Sequence, residues 1–416
     1  MESKNRLGAL ALANEKMEII RNLKYDSIGT QSGIPSGNIP QNEDVTVNGK
    51  AYHVTTFIQY IDDSLDGIAL ADTNGITNDY KRVKITISWK GANNISQEIF
   101  LVSRFVPPGI EKAVSGGTLF INVVNNVNGS TVGVPQSTVH IVNNNVSPAV
   151  NITVDTDNSG NLIFPGAKAS VLKYQITLTK SDYETVTTID PNSVTYVPTD
   201  QNATVIDKGL TQKTITQNKL ANLKVTTRDY LNNSLPNVNF HITGGRALGT
   251  NNKVNPYVTI YNIDQDSVTN SSGEKDFNNI SPGPFSLTPK GSLSGYTFVT
   301  TDPAPTAVSP PVLSAGGSLT IKMKFAANNV NALIVKVTSK KSGSIITGAQ
   351  VKLTNASGYD QTVTTLGDGI AFFPLDTTPL VAGSYTVLVK ATGFKDNSSS
   401  ITVSNLTTSS VKMVAN

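Results

Sequence analysis

The stretches "TDNSGNLIF" at residues 156–164, "TNSSGEKDF" at 269–277 and "TLGDGIAFF" at 365–373 place a threonine, a glycine and a phenylalanine at one spacing three times. The threonines are Thr156, Thr269 and Thr365, the glycines Gly160, Gly273 and Gly369, and the aromatics Phe164, Phe277 and Phe373. A polar turn closed by glycine and followed by an aromatic marks a reversal of the chain with a buried side chain behind it. Outward from each turn the flanks match as well. Upstream stand pairs of alternating segments, "GGTLFINVV" and "VPQSTVHIV", "ANLKVTTRD" and "LPNVNFHIT", "NALIVKVTS" and "ITGAQVKLT". Downstream follow "KYQITLTKSDY", "GPFSLTPKGSLSGY" and "GSYTVLVKATGF", and the second and third sets close with "GGSLTIKMKF" and "TTSSVKMVA". Alternation such as Leu119, Ile121, Val123 or Leu333, Val335, Val337 sends apolar side chains to one face and polar ones to the other. Short strands at this density predict three tandem sandwiches of the seven-stranded type, at residues 116–216, 218–327 and 330–416.

Residues 1–112 read differently. Leu10, Ala13, Met17 and Ile20 recur at helical spacing, widened by Leu12, Ile19 and Leu23, with Asn14, Glu15, Glu18, Arg21 and Asn22 on the other side. The pattern predicts a helix to about residue 24, a rod of roughly 35 Å, which needs an apolar partner to be stable. The partner is the sheet that follows. "VTVNGKAYHVTTFIQYI" reads as a hairpin turning at Asn48-Gly49, and "KRVKITISW" alternates with Val83, Ile85, Ile87 and Trp89 on one face. The fold class expected is therefore mainly β: one long helix on a small antiparallel sheet, then three sandwiches.

Composition bounds the function. With 33 Lys and Arg against 30 Asp and Glu the formal charge is only +3, without the concentrated basic patch of a nucleic-acid binder. The absence of cysteine rules out disulfides, thiolate metal sites and a cysteine nucleophile. No apolar run approaches the roughly 20 residues that span a bilayer, and no signal-peptide core follows Met1. The densest acidic patch, "DDSLDGIALADTNGITNDY", offers Asp62, Asp63, Asp66, Asp72 and Asp79 as a candidate calcium loop. His53, His140 and His241 are scattered, and no zinc spacing links them. Ser170 to Lys173 and Ser272 to Lys275 show a Ser-x-x-Lys spacing without a nucleophile elbow, so no catalytic residue is assigned.

The stretch "NEKMEIIRNLKYDSIGT", with "YHVTTFIQYIDD", "DYKRVKITISW" and "PPGIE", resembles the type IV pilin-like family, including minor pilins and pseudopilins. That resemblance implies a cell-surface or pilus subunit that meets other pilin-like subunits through its helix. The family's leader and the apolar first half of its helix are absent, so either the given start lies downstream of them or this copy has lost them. The three later segments resemble the carboxypeptidase regulatory-like family, a transthyretin-like sandwich of secreted and surface proteins that implies no peptidase activity. A related collagen-adhesin B type implies a lysine-to-asparagine cross-link. Lys224 and Lys336 stand in first strands, but the partner Glu and Asn are missing, and no cross-link is expected. The reading is an extracellular, non-enzymatic pilus-like subunit displaying sandwiches for adhesion or spacing. The alternative is a secreted adhesin that binds a host or matrix glycan or protein through its repeat loops.

Overall fold

The computed structural model describes residues 2–63, 67, 69–71, 76, 78–91, 94–108, 115–127, 129–305 and 310–416. The chain is mainly β and opens on one helix, as the periodicity predicts. It forms two compact units, Met1–Asn218 with Gly249–Val258, and Lys219–Leu248 with Thr259–Asn416.

In the first unit, helix α1 (Glu2–Arg21) lies on a four-stranded antiparallel sheet. The strands are β1 (Asn42–Val47), β2 (Lys50–Ile61), β3 (Tyr80–Lys90) and β4 (Ser96–Phe105), in that order across the sheet. Asn48 and Gly49 take φ of 51° and 76° between β1 and β2, the left-handed pair that a two-residue hairpin needs. Ala9, Leu12, Ala13, Met17 and Ile20 are buried against Tyr52, Val54, Ile58, Val83, Ile85, Ile87 and Trp89. Leu10 departs from the expected buried stripe and is 42% exposed. At 3.6 residues per turn it falls about a quarter turn from the stripe's centre, and Ala9 and Leu12 fill the contact instead.

Strand parity also puts a lysine on the apolar face. Lys81 is 1% exposed, and its Nζ donates to the carbonyl oxygens of Tyr25 and Ile28, both at 2.8 Å. The ammonium lies 4.6 Å from the Tyr25 ring centre and 5.4 Å from that of Tyr60. Burial pushes its pKa down to about 8, against the pull of Asp26. One buried cation thus pins the segment after the helix to the sheet.

The same unit holds the first sandwich. Its strands are β5 (Gly117–Val127), β6 (Ser130–Gly133), β7 (Thr138–Asn143), β8 (Val150–Asp155), β9 (Asn161–Ala167) and β10 (Ser170–Thr179). Then come β11 (Val186–Thr187), β12 (Val197–Pro198), which lies outside this sandwich's two sheets, β13 (Ala203–Val205) and β14 (Leu210–Thr216). One sheet runs β14-β5-β6 with β9 also on β5; the other runs β11-β10-β7-β8 with β13 on β10. Leu119, Ile121, Val139, Ile141, Tyr174 and Ile176 belong to the core they share.

The second unit holds two more sandwiches. The strands of one are β15 (Ala221–Asp229), β16 (Asn239–Asn251), β17 (Val258–Val268), β18 (Glu274–Ile280), β19 (Gly283–Pro289), β20 (Tyr296–Asp302), β21 (Val312–Leu313) and β22 (Ser318–Ala327). Those of the other are β23 (Ala332–Ser339), β24 (Gln350–Thr354), β25 (Asp360–Thr364), β26 (Ile370–Phe373), β27 (Gly383–Lys390), β28 (Asn397–Val403) and β29 (Leu406–Met413). Sheets β18-β15-β22-β20 and β26-β23-β29 each face a second sheet across a core. Val299, Ala326 and Ile334 are buried together where these two sandwiches meet, and the Tyr230 and Phe372 rings approach to 5.9 Å there.

In all three sandwiches the last strand returns to pair in parallel with the first. Seven register pairs join β14 to β5, eight join β22 to β15 and eight join β29 to β23.

Tyr359 supplies a pH test of the third core. Its ring meets Tyr385 edge-on at 5.8 Å, and its buried hydroxyl has no hydrogen-bond partner among the described residues. Desolvation raises its pKa to about 12, with a further push from Asp376. The unfolded chain ionises this group near its ordinary value of 10.0, so the stability tied to it is whole below pH 10 and is lost as pH climbs from 10 to 12. Tyr359→Phe is expected to keep full stability at pH 7 and to lose less of it at pH 11. Thermal unfolding of both proteins at the two pH values checks this, and equal losses at pH 11 would count against it.

Candidate functional site

The Thr-x3-Gly-x3-Phe residues occupy matching places in the three sandwiches. Phe164, Phe277 and Phe373 stand directly across from Leu119, Leu223 and Leu333 of the first strands. Four residues on, the N–H groups of Val123, Thr227 and Val337 donate to the carbonyls of Gly160, Gly273 and Gly369 at 2.8, 2.9 and 2.9 Å. Those glycines have φ of 81°, 68° and 67°, and a Cβ on Gly160 would lie 2.4 Å from the Val123 carbonyl oxygen. The threonines are buried, and their hydroxyls bond the backbone of the preceding turn: Thr156 Oγ1 donates to Val134 O at 2.7 Å and accepts from Ser137 N at 2.9 Å. These residues close turns and cores. Asp157, in the same turn, spends Oδ1 on the N–H groups of Ser159 and Asn161.

Of the acidic patch, Asp62, Asp63 and Asp79 are described, while Asp66 and Asp72 lie outside the described residues. Asp62 Oδ2 accepts from Ala69 N at 2.7 Å, and Asp79 Oδ2 accepts from Asp63 N. Both carboxylates serve the backbone of their own loop. Among the described residues no cluster of three or more acidic or histidine side chains is arranged to hold a metal ion.

The other candidates are dispersed. His53 pairs with Asp44 at 2.7 Å, His140 with Asn151 at 2.8 Å, and His241 with both Asp264 and Asp266 at 2.9 Å. The Lys290 ammonium also reaches Asp266, and together with His241 it holds that carboxyl below its ordinary pKa. Among the described residues neither the Ser170 nor the Ser272 hydroxyl hydrogen-bonds a base; Ser272 serves Arg228 through its carbonyl oxygen. Lys224 pairs with Glu274 at 2.7 Å and stands opposite Thr320, while Lys336 stands opposite Ser410.

What sequence reading missed is a cleft of about 600 Å³ in the first unit. Its floor is the face of the β2-β3-β4 sheet opposite the helix, presenting Thr55, Phe57, Arg82, Lys84, Phe100 and Val102. The end of β8 and the turn after it contribute Thr153, Asp155, Asp157 and Asn158, and Gln41 and Gln136 complete the polar lining. Phe100 and Val102 are 59% and 52% exposed. Lys84 Nζ sits 5.0 Å from the Phe100 ring centre, and the Arg104 guanidinium 5.2 Å from that of Tyr80. Asp155 Oδ1 is held by the Thr138 hydroxyl at 2.8 Å.

No protein-family model and no curated protein matches the chain. Among solved structures it is similar to the Bacillus anthracis TIE protein at 14% identity, over 88% of this chain and 72% of that one, with a TM-score of 0.20. A streptococcal ancillary pilin matches at 14% identity over 72% of this chain and 99% of its own, with a TM-score of 0.21. A minor pilin of Streptococcus agalactiae matches at 10% identity over 51% and 96%, with a TM-score of 0.24. Likeness of that depth carries no argument about function. No helix among the described residues is long and apolar enough to cross a membrane.

Proposed function

We propose that this chain is a non-enzymatic cell-surface protein, a type IV pilus-like subunit or minor pilin. Residues 1–112 are its pilin-like part, and the sandwiches at 116–216, 218–327 and 330–416 are tandem repeats of one carboxypeptidase regulatory-like unit that act as spacers under tension. The observation that carries this reading is the parallel pairing of first and last strands. A chain pulled from both ends draws the first strand toward its own start and the last toward its own end. Parallel neighbours then slide along each other, and the whole ladder is loaded in shear instead of opening bond by bond. A spacer on a pilus or cell surface needs this property, while an enzyme scaffold has no use for it.

Single-molecule stretching of the full chain tests the proposal. Each sandwich is expected to break in its own step, and proline at one of two neighbouring positions in β29 should weaken the third. Successive N–H groups in a strand point to opposite sides, so of Thr408→Pro and Ser409→Pro one removes a bond to β23 and the other spares it. The first should lower the third sandwich's unfolding force clearly more than the second. Breakage of all sandwiches in one low-force step, or no effect of either proline, would sink the spacer reading.

A further inference from the structure

The open face of the first sheet carries a charge arrangement that folding alone does not favour. Arg82 on β3 and Arg104 on β4 stand directly across from each other on that face. Like charges so placed directly opposite each other destabilise a sheet. Gln59, the other register neighbour of Arg82, is neutral, and among the described residues none of Arg82, Lys84 and Arg104 makes an ion pair. Lys84 and Arg104 gain only the ring contacts with Phe100 and Tyr80, and departures from local rules of stability are expected at functional sites.

We propose that the cleft over this face binds a sparsely charged acidic polysaccharide, one that carries a uronic-acid carboxylate among neutral sugars. Arg82, in the cleft lining, supplies the fork geometry that holds a carboxylate through paired N–H donors, and Arg104, its register neighbour on β4, adds a second positive charge beside it. Phe100, exposed beside Lys84, offers a flat apolar surface for the C–H face of a sugar ring. The rest of the lining is hydroxyl and amide: Thr55, Thr86, Thr153, Gln41, Gln136 and Asn158 can donate to and accept from ring hydroxyls. Asp155 and Asp157 are acceptors already fixed by Thr138 and by turn N–H groups. The volume, about 600 Å³, lies in the range of ligand sites.

Two features select this partner over other anions. Asp155 and Asp157 repel a densely sulfated chain or a nucleic acid, but they accept hydroxyl protons from a sugar whose single carboxylate lies at the arginines. An acidic peptide strand would need backbone N–H and C=O groups to pair with, and the floor, a sheet face, offers none between β2, β3 and β4; β4 and β8 each pair on one side only, which is why the decapeptide is a necessary control. The inference stands apart from fibre assembly and from the spacer role, and it locates adhesion in the first unit, where the first repeat's turn at Asp157 and Asn158 borders the sheet face.

The test is titration calorimetry of the full chain against an oligosaccharide of alternating uronic acid and N-acetylhexosamine. The controls are the same oligosaccharide with its carboxyls reduced to alcohols, a heavily sulfated counterpart and an acidic decapeptide. Binding of the uronate probe is expected, weakened roughly tenfold or more by carboxyl reduction, by Arg82→Gln and by Phe100→Ala. Arg82→Gln should leave the hydrogen-exchange protection of β2, β3 and β4 unchanged or raised, because it relieves the like-charge pair, so its lost binding cannot be ascribed to unfolding. No binding, equal binding of the reduced probe, tighter binding of the sulfated chain or the peptide, or full binding by Arg82→Gln would each overturn the proposal.

Discussion

Phe373→Ala is expected to lower the stability of the third sandwich by about 3–5 kcal/mol, the usual cost of emptying a fully enclosed aromatic site. Phe373 is 0% exposed, lies across from Leu333 and is packed into the core with Val335, Tyr385 and Met413. The cavity left behind can relax little, because its neighbours are held by both sheets. Phe164, at the matching place of the first sandwich, is only half-buried. There Leu162 fills the core, and the Phe164 ring leans on Tyr174 at 6.4 Å. Phe164→Ala should therefore cost about 1–2 kcal/mol, from partial burial and a lost ring contact. Several cooperative units make one unfolding midpoint a poor measure. Hydrogen exchange followed by mass spectrometry reads the opening free energy of residues 330–416 and 116–216 separately within the intact chain. Equal losses in the two variants would mean that burial at this position does not set its energetic weight.

The contrast between the two phenylalanines shows what sequence spacing conveys. The mainly β class and the leading helix were legible because alternation and helical periodicity report local geometry directly. Threonine, glycine and phenylalanine at fixed intervals report a turn because each meets a backbone demand: a hydroxyl for buried amides, a left-handed φ, a side chain for the core. The depth of each phenylalanine in its core was not legible, since it depends on whether a neighbour such as Leu162 takes the same space. Strand β14, "LTQKTIT", went unread because its polar side chains and Lys213 disguise the single fully buried apolar residue, Ile215. Its parallel pairing with β5 joins residues about ninety positions apart, and alternation fixes which face is buried but not which strand lies alongside. Lys81 reads from parity as a flaw in an apolar strand; only the carbonyls of Tyr25 and Ile28 above it explain the charge. The cleft was out of reach for the same reason as β14. Arg82, Phe100 and Asp157 come from separate elements, and nothing in the spacing of the chain brings them together.

The signature threonine yields the sharpest test, because the three sandwiches use it unequally. Thr365 is 0% exposed; its Oγ1 donates to Ile346 O at 2.8 Å and accepts from Ala349 N at 3.0 Å. Valine has the same shape without the hydroxyl, so Thr365→Val leaves a buried carbonyl and a buried N–H together without partners. At about 1–3 kcal/mol for each of the two orphaned groups the expected loss is about 2–6 kcal/mol. Thr365→Ser, which keeps both bonds and gives up one methyl, should cost no more than about 1 kcal/mol. In the second sandwich the work is divided. Thr269 Oγ1 accepts from Val238 N at 3.0 Å, while the carbonyl of Leu235 is served by Thr227, whose hydroxyl also lies 3.2 Å from that of Thr269. Thr269→Val thus orphans the Val238 N–H and takes one contact from a hydroxyl that keeps its bond to Leu235, so its loss should be about half that of Thr365→Val. Local hydrogen exchange at Ala349 and Val238 measures the two directly. If the two valine variants cost the same, or serine fails to restore what valine removes, the threonine is kept for its methyl group and the clamp is not what holds these turns closed.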